Sequence, residues 1–122
     1  MYQYGFEKLR VWQKSRELTK HIYLITKNYP AEEKFGLVSQ MRRSAISISS
    51  NIAEGSSRKS TKDQSHFYNM AYSSGLELLS QSILSLDLQL INEATYKELR
   101  DSIEQITKQL NALSKSIKKP IP

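Results

Sequence analysis

A series of regularly spaced apolar residues near the C-terminal end constrains the fold more than any other feature of the chain. The residues follow one another at intervals of 3, 4, 3, 4, 3 and 4: Tyr96, Leu99, Ile103, Ile106, Leu110, Leu113 and Ile117. This spacing places every one of these side chains on one face of an α-helix. Such a face has to be buried against other helices, so the pattern predicts a helical bundle.

Helical periodicity recurs along the whole chain, and no alternation typical of β-strands is sustained. The sequence predicts helices at about residues 6–28, 35–54, 61–91 and 95–117. A length of 122 residues suits one domain. Four helices with short connections predict an all-α fold, an up-and-down antiparallel four-helix bundle.

Helix ends are marked by residues with distinct backbone preferences. Pro30 is expected to end the first helix, because the residue before a proline avoids the α conformation. Gly55 is expected to cap the second helix in the left-handed conformation. Ser60 and Thr95 are expected to cap the third and fourth helices, each with an acidic residue three positions later.

The second and third helices carry more apolar surface than one core requires. On the second helix, Met41, Ile48 and Ile52 share the core face, whereas Ile46 points elsewhere. An additional apolar face has to be covered by something, and a second copy of the chain is the commonest partner. The predicted oligomer interface consists of Arg42, Ile46, Ala53, Tyr68, Tyr72 and Leu79.

Positive charge is concentrated in the first half of the chain. The net charge is +6, and residues 1–62 carry 12 basic against 5 acidic residues. Such a surface favours a polyanionic partner such as RNA or DNA, and a solvated surface without a ligand is the alternative. The candidate nucleic-acid-binding residues are Arg16, Lys20, Tyr23, Lys27, Arg43, Arg58, Lys59 and Lys62.

The adjacent arginines of the second helix allow two interpretations. In the first, Arg42 and Arg43 form salt bridges within or between subunits, with Glu54 or a carboxylate of another helix. Alternatively, they contact phosphate. The position of Arg42 beside the second apolar face favours the structural interpretation for that residue, and the sequence leaves Arg43 open.

Residues typical of catalytic or metal sites are sparse. There is no Cys, and the two histidines, His21 and His66, lie on different predicted helices without a metal-site partner. No phosphate-binding, dinucleotide-binding or hydrolase motif occurs. We therefore expect no enzyme, catalytic residue, metal site or cofactor. No apolar run is long enough to span a bilayer, so we expect a cytoplasmic protein without a membrane partner.

Four stretches resemble a known family: FEKLRVWQKS (6–15), EKFGL (33–37), SQMRRSAISISSNIAEGSSR (39–58) and HFYNMAYSSGLELLSQ (66–81). They are similar to the four-helix-bundle proteins encoded in intervening sequences of bacterial 23S ribosomal RNA genes. That family includes the accessory variability protein of diversity-generating retroelements. The chain departs from the family where Ser49 or Ser50 replaces a typical proline.

The resemblance implies a ring-like homopentamer and association with nucleic acid through a basic surface. In the retroelement members it also implies contact with a reverse transcriptase. The general biochemical role of the family is not established.

Two functions remain open on the sequence. The first is a homo-oligomeric protein that binds RNA or DNA, with affinity that falls steeply as salt rises. The second is an oligomeric structural adaptor that binds a protein such as a reverse transcriptase. The adaptor hypothesis predicts that most basic residues are engaged in salt bridges.

Overall fold

Four α-helices make up most of the computed structural model, which describes residues 1–118. They are α1 (Arg10–Thr26), α2 (Ser39–Ser57), α3 (Thr61–Asp87) and α4 (Glu93–Lys118). No strand occurs among residues 1–118. Neighbouring helices follow the chain order around the bundle, and α4 closes it against α1. The predicted all-α, four-helix class is confirmed.

Polar pairs between helices establish their directions. The Ser15 and Ser49 hydroxyls lie 2.9 Å apart, and the Thr19 hydroxyl donates to the carbonyl oxygen of Ala45 at 3.3 Å. Residue numbers rise along α1 while they fall along α2, so these two helices are antiparallel.

Serines of α2 also join it to α3. The Ser44 hydroxyl donates to the Glu77 carboxylate at 2.7 Å, and the Ser47 and Ser74 hydroxyls lie 2.9 Å apart. Hydrogen bonds satisfy these side chains where the helices approach closely. The mixture of serine, alanine and isoleucine in α2 therefore reflects contact with a neighbouring helix on each side.

Helix α4 packs antiparallel to α1. The Lys14 ammonium donates to the Gln105 side chain, and His21 Nε2 lies 3.6 Å from a Glu98 carboxylate oxygen. The helix directions thus alternate around the bundle, as the up-and-down topology requires.

The regularly spaced residues of α4 form one wall of the core, as predicted. Leu99, Ile103, Ile106 and Leu110 are at most 1% exposed, and Tyr96, Leu113 and Ile117 are partly buried against the same core. Other fully buried side chains of this core come from the remaining helices: Ile22, Met41, Ile48, Ile52 and Leu78. Burial of large apolar side chains is the main stabilising contribution to such a bundle.

Gly55 differs from its prediction. It lies inside α2, which continues to Ser57, and no glycine of residues 1–118 has a positive φ. A Cβ atom at this position would lie 2.7 Å from the Tyr68 ring and 3.1 Å from Phe67 Cβ. Glycine is needed here because α3 approaches the backbone of α2 closely, and its conformational freedom plays no part.

Two predicted helix boundaries shift for local reasons. Leu9 is extended (φ −74°, ψ 125°), so α1 begins at Arg10 after a short 3₁₀ turn at Gly5–Lys8. Helix α3 ends at Asp87, before Gln89 with its left-handed φ of 60°. The spacing of apolar residues continues past such local changes of backbone conformation, so it does not reveal where the helix ends.

The chain enters α2 through two irregular turns. A 3₁₀ turn at Ala31–Glu33 leads into a π-helical turn at Lys34–Val38, within which Gly36 is non-helical. Helix α2 therefore begins at Ser39 instead of residue 35. These turns fold the chain back at the end of the bundle where α1 finishes.

One of the two predicted N-caps is confirmed. The Ser60 hydroxyl accepts a hydrogen bond from the Asp63 backbone N–H at 3.1 Å. The prediction for Thr95 is wrong, because Asn92 Oδ1 accepts from the Thr95 backbone N–H at 2.8 Å and α4 begins at Glu93. Asparagine is as good an N-cap as threonine, and it comes first along the chain.

Candidate functional site

The candidate basic residues of α1 lie on its solvent side. Arg16, Lys20 and Lys27 are exposed, and Tyr23 is half-buried beside them. The guanidinium carbon of Arg16 lies 5.6 Å from the centre of the Trp12 indole ring. The structure therefore brings these four candidate residues together along one helix, with an aromatic residue at its N-terminal end.

Arg42 is held against α1. Its guanidinium carbon lies 4.4 Å from the Tyr23 ring centre, its Nε donates to the Thr26 hydroxyl at 3.0 Å, and an Nη donates to the Tyr23 carbonyl at 3.5 Å. Arg42 forms no ion pair among residues 1–118. Within the chain, Arg42 thus makes a cation–π contact and two hydrogen bonds, and it forms no salt bridge with Glu54, which was one of the partners considered.

The same contact alters the role expected for Tyr23. A tyrosine can stack on a base only through an exposed ring face. The Arg42 guanidinium covers one face of Tyr23. Tyr23 therefore positions Arg42 and has less ring surface available for stacking than the sequence indicated.

Arg58 occupies the loop between α2 and α3. Its guanidinium donates to the Glu54 carboxylate at 2.8 Å and lies 4.6 Å from the Phe67 ring centre. Lys59 and Lys62 follow it and are exposed. Glu54 thus neutralises one of the three candidate charges at the junction of α2 and α3.

Arg43 is the exposed member of the arginine pair. It makes no hydrogen bond or ion pair with another side chain among residues 1–118. The two arginines therefore have different environments, since Arg42 is held against Tyr23 and Thr26 and Arg43 faces solvent. The sequence had left this difference open.

Few basic residues are neutralised by carboxylates. Among the lysines and arginines of residues 1–118, only Arg58 and Arg100 form ion pairs within 4.0 Å, each with a glutamate one helical turn away. This differs from the expectation of the adaptor hypothesis, in which most basic residues are engaged. Most lysines and arginines of the first half of the chain therefore make no direct ion pair, and Glu7 and Glu17 line the same groove as Arg16 and Lys20.

The predicted oligomer interface divides into exposed and buried residues. Ile46 is 44% exposed, and Ala53 is half-buried. Tyr68 is only 3% exposed, so its assignment to an interface is wrong: it belongs to the core of the single chain, against Gly55. The wheel of a single helix could not distinguish the neighbour within the chain from a second copy.

Tyr72 and Leu79 are partly buried at the edge of the core, where an exposed apolar row begins. Leu76 is 47% exposed and Ile83 is 37% exposed, and with Tyr72 and Leu79 they follow a spacing of 4, 3 and 4. Leu76 was missed by the sequence analysis, although this heptad spacing would have revealed it. We name Tyr72, Leu76, Leu79 and Ile83 the α3 apolar row.

Aromatic residues before α1 were also missed. Tyr2 and Tyr4 are 76% and 60% exposed, and their ring centres lie 4.9 Å apart. Tyr4 stacks on Phe6 at 6.4 Å, and Phe6 meets Trp12 edge-on at 4.9 Å. The signal was the sequence YQYGF, in which aromatic residues recur every second position.

Within residues 1–118 no three His, Asp or Glu side chains are arranged to hold a metal ion. Burial raises the pKa of Tyr29 and of Tyr68 above the ordinary tyrosine value, which keeps both phenols neutral. None of the helices in residues 1–118 is long and apolar enough to cross a membrane.

Comparison with known proteins identifies the family of the chain. The sequence model of the family described as 23S rRNA-intervening sequence protein matches residues 7–112, so the chain belongs to this family. No curated protein matches the chain.

A solved structure is similar across most of the chain. It is a protein of unknown function from the S23 ribosomal protein family of Bacteroides thetaiotaomicron, with 26% sequence identity and a TM-score of 0.78. The match covers 86% of this chain and 98% of the other.

Proposed function

We propose that the protein is a non-enzymatic homo-oligomer that binds RNA or DNA through its basic surface. The observation that carries this proposal is the scarcity of direct ion pairs: among the lysines and arginines of residues 1–118, only Arg58 and Arg100 pair with a carboxylate. Lysines and arginines that face solvent without a partner can replace the counterions of a phosphate backbone. The same proposal includes a cytoplasmic location.

Assembly into a ring-like homopentamer is the second part of the proposal. The α3 apolar row and Ile46 support self-association, because exposed isoleucine and leucine side chains favour burial against another copy, and the number five comes from the family resemblance. Five chains of net charge +6 would repeat each weak basic site around one ring. Repeated sites bind a long polyanion far more tightly than one site does.

A first experiment measures the molar mass by light scattering at about 50 mM and about 500 mM salt, with and without a heterogeneous RNA. We expect a mass near five times 14.1 kDa at both salt concentrations, with a shift on adding RNA only at low salt. A 14.1 kDa monomer that ignores RNA would contradict both parts of the proposal.

A matched pair of variants tests which cations bind. Lys20→Gln with Arg43→Gln removes two exposed charges from α1 and α2, whereas Lys108→Gln with Lys115→Gln removes two from α4. Both double variants have the same net charge. Each lost phosphate contact lowers the slope of log affinity against log salt by about 1, so we expect a decrease of about 2 for each chain in contact with the nucleic acid, and only in the first variant.

Another pair of variants tests the interface. Leu76→Glu replaces an exposed member of the α3 apolar row, and Leu24→Glu makes the same change at a 55% exposed leucine of α1. We expect Leu76→Glu to lower the mass while helicity is retained, and Leu24→Glu to leave the mass unchanged. Equal masses for both variants would refute the proposed interface.

The adaptor function is the alternative, with a reverse transcriptase as one candidate partner. It shares the proposed oligomer but assigns the basic surface no ligand. Unchanged elution of the oligomer on adding RNA at low salt would favour the adaptor. The sparse ion pairing among residues 1–118 is the reason that we prefer nucleic acid.

A further inference from the structure

We propose that a cavity at the turn between α1 and α2 binds a single phosphate group. The cavity has a volume of about 200 Å³ and is lined by Lys27, Lys34 and Arg42, with Thr26 and Tyr29 in its wall. We name it the turn pocket. The proposal deepens the proposed function and rests on it for its biological ligand, but phosphate binding itself can be tested separately.

Charge is the first argument for an anion. Three cationic side chains line the turn pocket, and no carboxylate does. The nearby Glu33 side chain is directed elsewhere, since its Oε1 accepts from the Leu37 backbone N–H at 3.3 Å. Like charges gathered around one concavity repel each other, and a bound anion removes this repulsion.

Preorganisation of Arg42 is the second argument. Its Nε is fixed by the Thr26 hydroxyl, which is itself oriented because it donates to the Ile22 carbonyl at 2.7 Å. The Tyr23 ring supports the guanidinium face at 4.4 Å. Three of the five guanidinium N–H groups remain without a partner among residues 1–118. A planar donor already held in place loses little entropy when it binds phosphate.

The two lysines complete the site as exposed charges, and Lys34 Nζ lies 5.6 Å from the Phe35 ring centre. Lys27 and Lys34 are exposed, and neither forms an ion pair among residues 1–118. Lysine binds phosphate as a point charge on a flexible stem, so both ammonium groups can approach an anion that Arg42 orients. A fixed guanidinium with two flexible ammonium groups suits a phosphate group whether it is free or part of a nucleic acid.

Size is suited to a small group. The turn pocket has a volume of about 200 Å³ and opens to solvent on one side. One phosphate group fits such a volume, whereas a complete nucleotide would have to extend outside it. Free phosphate, a terminal phosphate of a nucleic acid and an internal phosphodiester therefore share the recognised chemistry.

The test is an NMR titration of the full chain at constant ionic strength. Inorganic phosphate replaces chloride in the first arm. The second and third arms use a short single-stranded RNA with and without a 5′-phosphate. We expect saturable shifts of the backbone amides around Lys27, Lys34 and Arg42 in at least one arm.

Variants separate a specific site from a general salt effect. Lys34→Gln removes an exposed lysine of the pocket, and Lys97→Gln removes an exposed lysine of α4 as the matched control. We expect at least fivefold weaker binding in Lys34→Gln and no change in Lys97→Gln. Arg42→Lys keeps the charge but loses the planar fork, and we expect it to weaken phosphate binding while circular dichroism stays helical.

Each outcome has a defined meaning. Saturable binding that Lys34→Gln weakens supports the turn pocket, and the responding arm identifies the phosphate source. Linear shifts, or equal shifts in both lysine variants, overturn it. If Lys34→Gln still binds RNA and the amides around the turn pocket do not shift, the phosphate site is refuted and the proposed nucleic-acid binding is not. Phosphate binding without RNA binding at low salt supports the pocket and contradicts the proposed function.

Discussion

The two ends of α2 each hold an arginine against an aromatic ring of the adjacent helix. Arg42, near the start of α2, lies 4.4 Å from the Tyr23 ring of α1. Arg58, just after the end of α2, lies 4.6 Å from the Phe67 ring of α3. Because an α-helix rises about 1.5 Å per residue, the two sites are separated by about 24 Å along the bundle.

Their surroundings differ in charge. Glu54 forms an ion pair with Arg58 at 2.8 Å, whereas Arg42 shares the turn pocket with Lys27 and Lys34. Both arginines thus make a similar cation–π contact, but the charge of Arg58 is neutralised by a carboxylate whereas Arg42 lies beside other cations. The comparison teaches that the contact with the ring orients an arginine, and the neighbouring charges determine what it can bind.

The largest expected effect is a loss of stability at Gly55, where α3 approaches α2 closely and brings Phe67 and Tyr68 near Arg58. Gly55→Ala would place a Cβ atom 2.7 Å from the Tyr68 ring. Overpacking costs about 1–3 kcal/mol, and the better helix propensity of alanine returns at most about 1 kcal/mol. We expect urea denaturation to give a net loss of about 1–2 kcal/mol in the free energy of unfolding.

Gly75→Ala is the matched control for this prediction. Its Cβ would lie 3.3 Å from Thr107 Cγ2, a contact that a small side-chain shift relieves. We expect a change of less than about 0.5 kcal/mol, because the gain in helix propensity offsets the contact. Equal destabilisation by both alanines would contradict the special role of Gly55.

The next substitution would leave both arginines without a neutralising carboxylate. Glu54→Gln removes the carboxylate that neutralises Arg58. A charge about 4 Å away in water contributes about 1 kcal/mol, so we expect RNA affinity at low salt to rise about fivefold. Fluorescence anisotropy with a labelled RNA measures the change.

Glu104→Gln controls for net charge, because it breaks the equivalent pair with Arg100 on α4. We expect a smaller rise in RNA affinity from this variant. If both glutamine variants raise the affinity equally, the increase reflects the overall charge and the Arg58 loop has no special role.

A smaller effect is expected from removing the ring beneath Arg42. Tyr23→Leu keeps an apolar side chain but abolishes the cation–π contact, which is worth about 0.5–1 kcal/mol at an exposed site. We expect inorganic phosphate to bind about two- to fivefold more weakly in the NMR titration. Phe67→Leu makes the same kind of change under Arg58 and should leave phosphate binding intact.

The smallest effect concerns pH. A buried tyrosine lies near each end of the bundle, and burial raises the pKa of Tyr29 and of Tyr68 in the folded chain. The unfolded chain releases these protons first, from about pH 10 upward. The contribution of each phenol to stability is therefore complete below about pH 10 and is lost as pH rises through the folded pKa.

Urea denaturation at several pH values between about 8 and 11 tests this expectation. Tyr29→Phe and Tyr68→Phe should each reduce the alkaline loss of stability. Tyr4→Phe replaces a 60% exposed phenol and should leave the loss unchanged. A pH profile that neither buried-site variant alters would contradict the prediction.

The sequence predicted several residues of the candidate site, but not how those residues are arranged in space. The exposed candidates Lys20, Lys27 and Arg43 followed from their places on the helical wheels. Lys34 was missed because it lies in an irregular turn, where no periodicity indicates which side chains meet. The pocket that it shares with Lys27 and Arg42 depends on how the chain folds back after α1.

The sequence by itself determined the four helices and the core side of α4. These features depend on repeats of three and four residues, and side chains at those intervals lie on one face whatever surrounds the helix. Ser60 as an N-cap followed equally well, since the cap bonds to a backbone N–H only three residues away.

Only the tertiary structure decided how Gly55, Tyr68 and Arg42 are used. Gly55 was predicted to cap a helix and is instead a point of close approach between α2 and α3. Tyr68 belongs to the core instead of an interface. Within the chain, Arg42 contacts Tyr23 and Thr26 instead of a carboxylate. Each outcome depends on a residue of another helix. The periodicity of one helix specifies the direction of a side chain but not the neighbour that it meets there.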